Sequence, residues 1–193
     1  ARATPDTRLA ALEMIDNADC ALLDGLSGQD RVLAPPATCC VTAFEEMAAR
    51  HPRAPALRAI GGENITYGDL DRAANHLALA LQARGVGPGD HIGIRLPRGP
   101  LFVLAMLGAW KAGAAFVPMD PAYPPRLLEI MAEDSEAKLV LTQAPAPDLA
   151  APTMVLEADA LRQRAARGPD RRGMAEDRLA YVLFTSGTTG RPK

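Results

Sequence analysis

From Val41 to Phe184 the apolar positions switch between the 3.6-residue period of a helix and the short unbroken runs of buried strands. Residues 42–50 form a short helix with Phe44 and Met47 on one face. Residues 56–60 and 65–67, separated by Gly61-Gly62-Glu63-Asn64, have the form of a small β-hairpin. Thr66, with Asp69 three positions on, caps a helix whose stripe is Leu70, Ala73, Ala74, Leu77 and Leu81, stopping at Gly85. A Gly- and Pro-rich turn then leads into a strand over residues 91–96. Pro100 opens the next helix, which is apolar almost all round and therefore buried, and Gly113 closes it.

Three further strands are predicted over 114–117, 138–142 and 153–157, with helices over 124–134 and 158–164. Residues 179–184 are apolar throughout, which predicts a central strand. Strands alternating with helices at this spacing give an α/β fold, a largely parallel sheet flanked by helices. Residues 1–40 stand apart: a Leu-rich helix over 9–26, broken by Gly25 and Gly28, runs into the linker Ala34-Pro35-Pro36-Ala37. A boundary is placed there, dividing the chain into 1–40 and 41–193.

Composition narrows the classes of function. The 193 residues carry a net charge of −2 and are 48% hydrophobic, with 16 glycines and 17 prolines. That balance argues against nucleic-acid binding by phosphate neutralisation, and no eighteen-residue apolar run exists to span a membrane. Cys20, Cys39 and Cys40 have neither CxxC spacing nor paired histidines, so they predict no zinc site; they are read as reduced thiols of a cytoplasmic protein. The chain opens on Ala1 without a leader and is expected to begin inside a longer polypeptide. Five arginines over 162–172 read as a solvated surface segment.

The candidate chemistry follows the last apolar run: Thr185-Ser186-Gly187-Thr188-Thr189-Gly190-Arg191-Pro192-Lys193. The carboxyl end of a parallel strand is where α/β proteins place ligands. Gly187 and Gly190 let backbone N–H groups approach an anion, while Thr185, Ser186, Thr188 and Thr189 supply hydroxyl donors and Lys193 a positive charge. The run suits a polyphosphate, yet it is not a Walker A loop, because only two residues separate the glycines.

Residues 179–193 resemble the phosphate-loop signature of the adenylate-forming, AMP-binding enzymes: acyl-CoA synthetases, luciferases and the adenylation domains of nonribosomal peptide synthetases. Trp110-Lys111-Ala112-Gly113-Ala114-Ala115-Phe116-Val117-Pro118-Met119-Asp120-Pro121-Ala122-Tyr123-Pro124 resembles the second core motif of the peptide-synthetase group, and Ile65-Thr66-Tyr67-Gly68-Asp69-Leu70 its first. The two upstream motifs read best as structural. Lys111 sits where it complements a helix C-terminus, and Asp120 forms a turn before Pro121. More loosely, residues 1–40 resemble the tail of a condensation domain with its linker.

The resemblance implies that 41–193 is the opening part of the large N-terminal subdomain of an amino-acid-activating adenylation domain, cut at its phosphate loop. It implies ATP and Mg2+ as cofactors of the parent. It also implies an amino acid as substrate, a downstream carrier protein bearing phosphopantetheine, and a condensation domain in the same chain. Phosphate binding falls to Thr185, Ser186, Gly187, Thr188, Thr189, Gly190 and Lys193, and no metal ligand or catalytic residue is assigned. The family's later motifs lie beyond Lys193, so these residues alone are expected to be inactive. A fragment of an acyl- or aryl-CoA ligase, or a non-catalytic structural remnant, are the alternatives.

Overall fold

Each change of hydrophobic period marks a change of element in the computed structural model, which describes residues 17–27, 39–58, 64–170 and 178–185. The chain divides into two units, Ala1–Ala37 and Thr38–Lys193. The first contains helix α1 (Asn17–Ser27), which runs through Gly25 where the pattern predicts a break. A helix-interior glycine is a cost of about 1 kcal/mol and not a prohibition. The predicted helical stretch 9–16 lies outside the described residues.

The second unit opens with α2 (Cys40–Arg50), followed by β1 (Pro55–Arg58) and β2 (Asn64–Thr66), which pair antiparallel as predicted; their turn lies outside the described residues. The inner face of α2 is not the one expected. Val41, Phe44 and Ala48 turn inward while Met47 stays exposed, because Phe44 packs against Tyr67 at a ring distance of 5.7 Å.

Helix α3 (Tyr67–Gln82) begins on the predicted cap. Thr66 Oγ1 accepts from the Asp69 backbone N–H at 3.1 Å and donates to Asp69 Oδ2 at 2.7 Å. The Thr66 hydroxyl, and after it the charges of Arg164 and Arg72, hold the Asp69 carboxyl below its ordinary value against the opposing effect of partial burial. A carboxylate lowered in the folded state adds stability above its unfolded value, and that contribution is lost as pH falls through the folded one. Thr66→Val is expected to cost about 1 kcal/mol at pH 7. In urea melts, the gap between variant and parent should narrow below about pH 4, as Asp69 protonates. A gap that is constant down to acid pH counts against the Thr66–Asp69 pairing.

Beyond α3, Gly85 and Gly89 turn the chain with φ of +81° and +85° into β3 (His91–Arg95). There follow α4 (Pro100–Ala112), β4 (Ala115–Pro118), α5 (Pro125–Asp134), β5 (Ala137–Thr142) and β6 (Thr153–Val155). The strands form one parallel sheet in the order β4-β3-β5-β6. The path from β3 to β4 and the path from β4 back across β3 to β5 run in opposite directions. Right-handed crossovers therefore put α4 and α5 on opposite faces.

The core divides accordingly. Ile92, Ile94, Phe116, Leu139 and Leu141 meet α3 and α4 on one face, while Val117 and Val140 meet Leu128 and Met131 of α5 on the other. Helices α3 and α4 approach closely at Gly108, where an added Cβ would stand 2.6 Å from Leu77 Cδ2.

Two further expectations need correction. The helix predicted over 158–164 is a short 3-10 helix, Ala158–Arg162. The arginine-rich segment lies at the surface as expected, with Arg162, Arg164 and Arg167 exposed, and it is held there: Arg164 bridges to Asp69 at 3.3 Å, the Ala165 N–H donates to the Arg72 carbonyl at 3.1 Å, and Gly168 lies against Asn75. Arg171 and Arg172 lie outside the described residues.

The second correction concerns residues 179–184, predicted as a central strand, which make only a single bridge at the edge of the sheet among the described residues. They run parallel to β4 through a single bridge, Phe116 to Tyr181, and are the outermost element of the sheet among the described residues. Leu179, Tyr181 and Leu183 are 64%, 52% and 58% exposed, while Val182 and Phe184 pack onto the α5 side. A wholly apolar run carries no record of whether one face or both are covered. Among the described residues no helix is long and apolar enough to cross a membrane.

Candidate functional site

All strands of the sheet point the same way, so their carboxyl ends form one edge. The chain leaves β3 toward β4 and leaves β5 toward β6, and these neighbours with opposite exits make a topological switch point. A cleft of about 280 Å³ opens there, lined by Arg95, Pro97, Pro121, Thr142, Gln143 and Pro145 among others. Arg95 does not offer the cleft a free charge, because Asp148 takes its guanidinium with both oxygens at 3.0 and 2.8 Å. Thr142 is buried there, and its hydroxyl has no hydrogen-bond partner among the described residues.

The segment 178–185 reaches this same edge. The Phe116 N–H donates to the Ala180 carbonyl at 3.2 Å, and the Val182 N–H to the Phe116 carbonyl at 3.0 Å. Counting on from the Phe116–Tyr181 bridge brings Thr185 level with Asp120. Asp120 is the turn former expected: its carboxylate accepts from the Ala122 N–H at 2.9 Å and its carbonyl from the Tyr123 N–H at 3.0 Å. Of the predicted phosphate-binding residues, Thr185 is described. Ser186, Gly187, Thr188, Thr189, Gly190 and Lys193 lie outside the described residues.

Lys111 is structural, as expected, but for a different reason. It is 1% exposed, and its Nζ donates to Glu45 Oε1 at 2.6 Å, Asp71 Oδ1 at 2.8 Å and Asn75 Oδ1 at 2.7 Å. It ties α4 to both α2 and α3, and each partner stands 36 to 66 residues away in sequence. No local spacing signals such a cluster. Nor does any pattern single out Trp110, whose indole N–H donates to the Ala180 carbonyl at 2.7 Å, across 70 residues.

Fold and chain order together define a three-layer α/β protein, a class that binds its ligands at the carboxyl edge of the parallel sheet. The family model for AMP-binding enzymes matches residues 44–193, and the chain belongs to that family. Among curated relatives, a linear gramicidin synthase of Brevibacillus parabrevis is 36% identical over 195 residues, covering 99% of this chain and 2% of the relative. A plipastatin synthase of Bacillus subtilis is 40% identical over 152 residues, covering 78% of this chain and 6% of the relative.

Among solved structures, the N-terminal subdomain of Klebsiella oxytoca NpsA in complex with 3-hydroxybenzoyl-AMSN superposes with a TM-score of 0.70 at 26% identity. It covers 81% of this chain and 40% of that one. The O-succinylbenzoate coenzyme A synthetase MenE of Bacillus subtilis, in complex with AMP, gives a TM-score of 0.65 at 25% identity over 78% of this chain and 40% of that one. The chain thus spans a few per cent of these curated relatives and about two fifths of these solved chains.

Proposed function

We propose that residues 41–193 are the opening part of an adenylation domain that activates an amino acid within a nonribosomal peptide synthetase. The observation that carries this is the delivery of Thr185, the residue that opens the glycine- and hydroxyl-rich run of the sequence, to the carboxyl edge of a parallel sheet. Identities of 36–40% to peptide synthetases over 78–99% of the chain support the branch chosen.

In this reading a carboxylate oxygen of the amino acid attacks the α-phosphorus of ATP. The bond from that phosphorus to the bridging oxygen breaks, and pyrophosphate leaves. The hydroxyls of Thr185, Ser186, Thr188 and Thr189 donate to the β- and γ-phosphates, the N–H groups at Gly187 and Gly190 approach them, and Lys193 offsets the charge growing on the leaving group. Mg2+ bound to the ATP would neutralise part of its charge.

The aminoacyl adenylate then passes to the phosphopantetheine thiol of a carrier protein: the thioester forms, AMP leaves and the thiol proton is released. An artificially fused adenylation–carrier didomain of NpsA among the structural neighbours supports such a partner. Residues 1–40 are the linker or condensation-domain tail that precedes the adenylation domain. Relatives that match 99% of the chain extend through them.

The test is amino-acid-dependent ATP–pyrophosphate exchange. The intact polypeptide carrying this sequence is expected to exchange label with one or a few amino acids, and the isolated 193 residues to give none. Exchange driven only by acyl or aryl acids, with coenzyme A as acceptor, would assign the CoA-ligase alternative instead. Turnover by the isolated residues would overturn the division of the site.

A further inference from the structure

Residues 178–185 lie on β4 through one bridge pair, too little by itself to define a register. Register matters here because side chains alternate faces: a slip by one residue would exchange Thr185 for Ser186 at the carboxyl edge and turn every side chain over. What adds to the bridge comes from α4. The Trp110 indole N–H donates to the Ala180 carbonyl at 2.7 Å, and that oxygen also accepts the Phe116 N–H at 3.2 Å, so two donors converge on it. The rings of Trp110 and Phe116 meet edge to face at 5.6 Å, and Phe116 meets Tyr181 at 5.8 Å. Arg178 donates to the Gly113 carbonyl at 3.3 Å, just beyond the end of α4.

Helix α4 does not need this bond for itself: Gly113 closes it with φ of +96°, and Lys111 anchors it to α2 and α3. The indole donor serves the neighbouring segment. We infer that Trp110 is a positioning residue for ATP, setting the register of residues 178–185 on β4 and so the place from which the phosphate-binding run departs. This rests on the phosphate reading of Thr185 to Lys193 given above.

The experiment compares ATP–pyrophosphate exchange in the intact polypeptide with that of Trp110→Phe, which keeps an aromatic ring and loses the N–H. One neutral hydrogen bond corresponds to about a three- to tenfold change. Trp110→Phe is expected to raise the KM for ATP by that factor and to leave the KM for the amino acid within about twofold. Leu70→Ala, a core truncation in α3 that touches none of the contacts just named, is expected to lower the melting temperature with the KM for ATP within about twofold. If Trp110→Phe does not fold, replacement of Trp110 by benzothienylalanine decides the question, since that isostere differs only in lacking the donor.

A folded variant with the parent's KM for ATP overturns the inference, and so does an equal rise in both KM values. If the parent polypeptide itself shows no ATP-dependent exchange, the adenylation reading falls and this one with it. That outcome is distinct from a parent that saturates with ATP and a variant that matches it.

Discussion

Lys111→Ala is expected to lower the unfolding free energy by about 2–4 kcal/mol, read as a shift of the urea midpoint at constant slope. Removing one partner from a fully buried ion pair costs more than that range suggests, about 3–5 kcal/mol, because the remaining charge is stranded. Here the stranding is partial. Lys111 is buried at 1% exposure, but the side chains of Glu45 and Asp71 keep 32% and 22% of their surface open to water. They recover hydration when the ammonium is gone, which trims the loss. Lys111→Met, which fills nearly the same volume, should cost about 1–2 kcal/mol less than the alanine change.

The loss should also be local. Glu45 is the α2 residue that reaches Lys111, so amide exchange in α2 should speed up more than in α5, which packs on the opposite face of the sheet. A Lys111→Ala protein within about 0.5 kcal/mol of the parent would mean that the cluster is not a structural tie.

Lys193→Ala in the intact polypeptide is expected to reduce kcat/KM for ATP in the exchange assay by about a hundredfold, and Thr188→Ala by about tenfold. The difference follows from charge. A lysine offers a full positive charge to a leaving group whose negative charge grows in the transition state, while a hydroxyl offers one neutral donor among several in the run. Neither change should alter the melting temperature by more than a few degrees, since residues that bind a ligand from a glycine-rich run contribute little to the core. Parent-like kcat/KM in Lys193→Ala would remove this residue from the site.

How much of this could be read along the chain depends on the range of the interaction responsible. The Thr66 cap, the α3 stripe, Pro100 at the start of α4, Gly113 at its end and the Asp120 turn all involve atoms within a few residues of one another. Local sterics and hydrogen bonding decide them, so spacing alone is enough. The α/β class follows in the same way, because hydrophobic period and crossover handedness are both local in origin. The run proposed to bind phosphate is a further local feature, given by residue order.

Tertiary structure decided what depends on distant partners. Lys111 near the end of a helix looks like a charge placed to meet the helix dipole; only the docking of α2 and α3 shows that it is buried and held by three side-chain oxygens. Met47 and Phe44 have equal claims to the inner face of α2, and Tyr67 settles the choice in favour of Phe44. The apolar run at 179–184 has the composition of a central strand, yet its outer residues are exposed among the described residues, because burial is set by what lies alongside and not by the run itself. Trp110 gains its meaning last of all: its hydrogen-bond partner is 70 residues away and is a backbone carbonyl, a group that every residue carries and that no sequence pattern can single out.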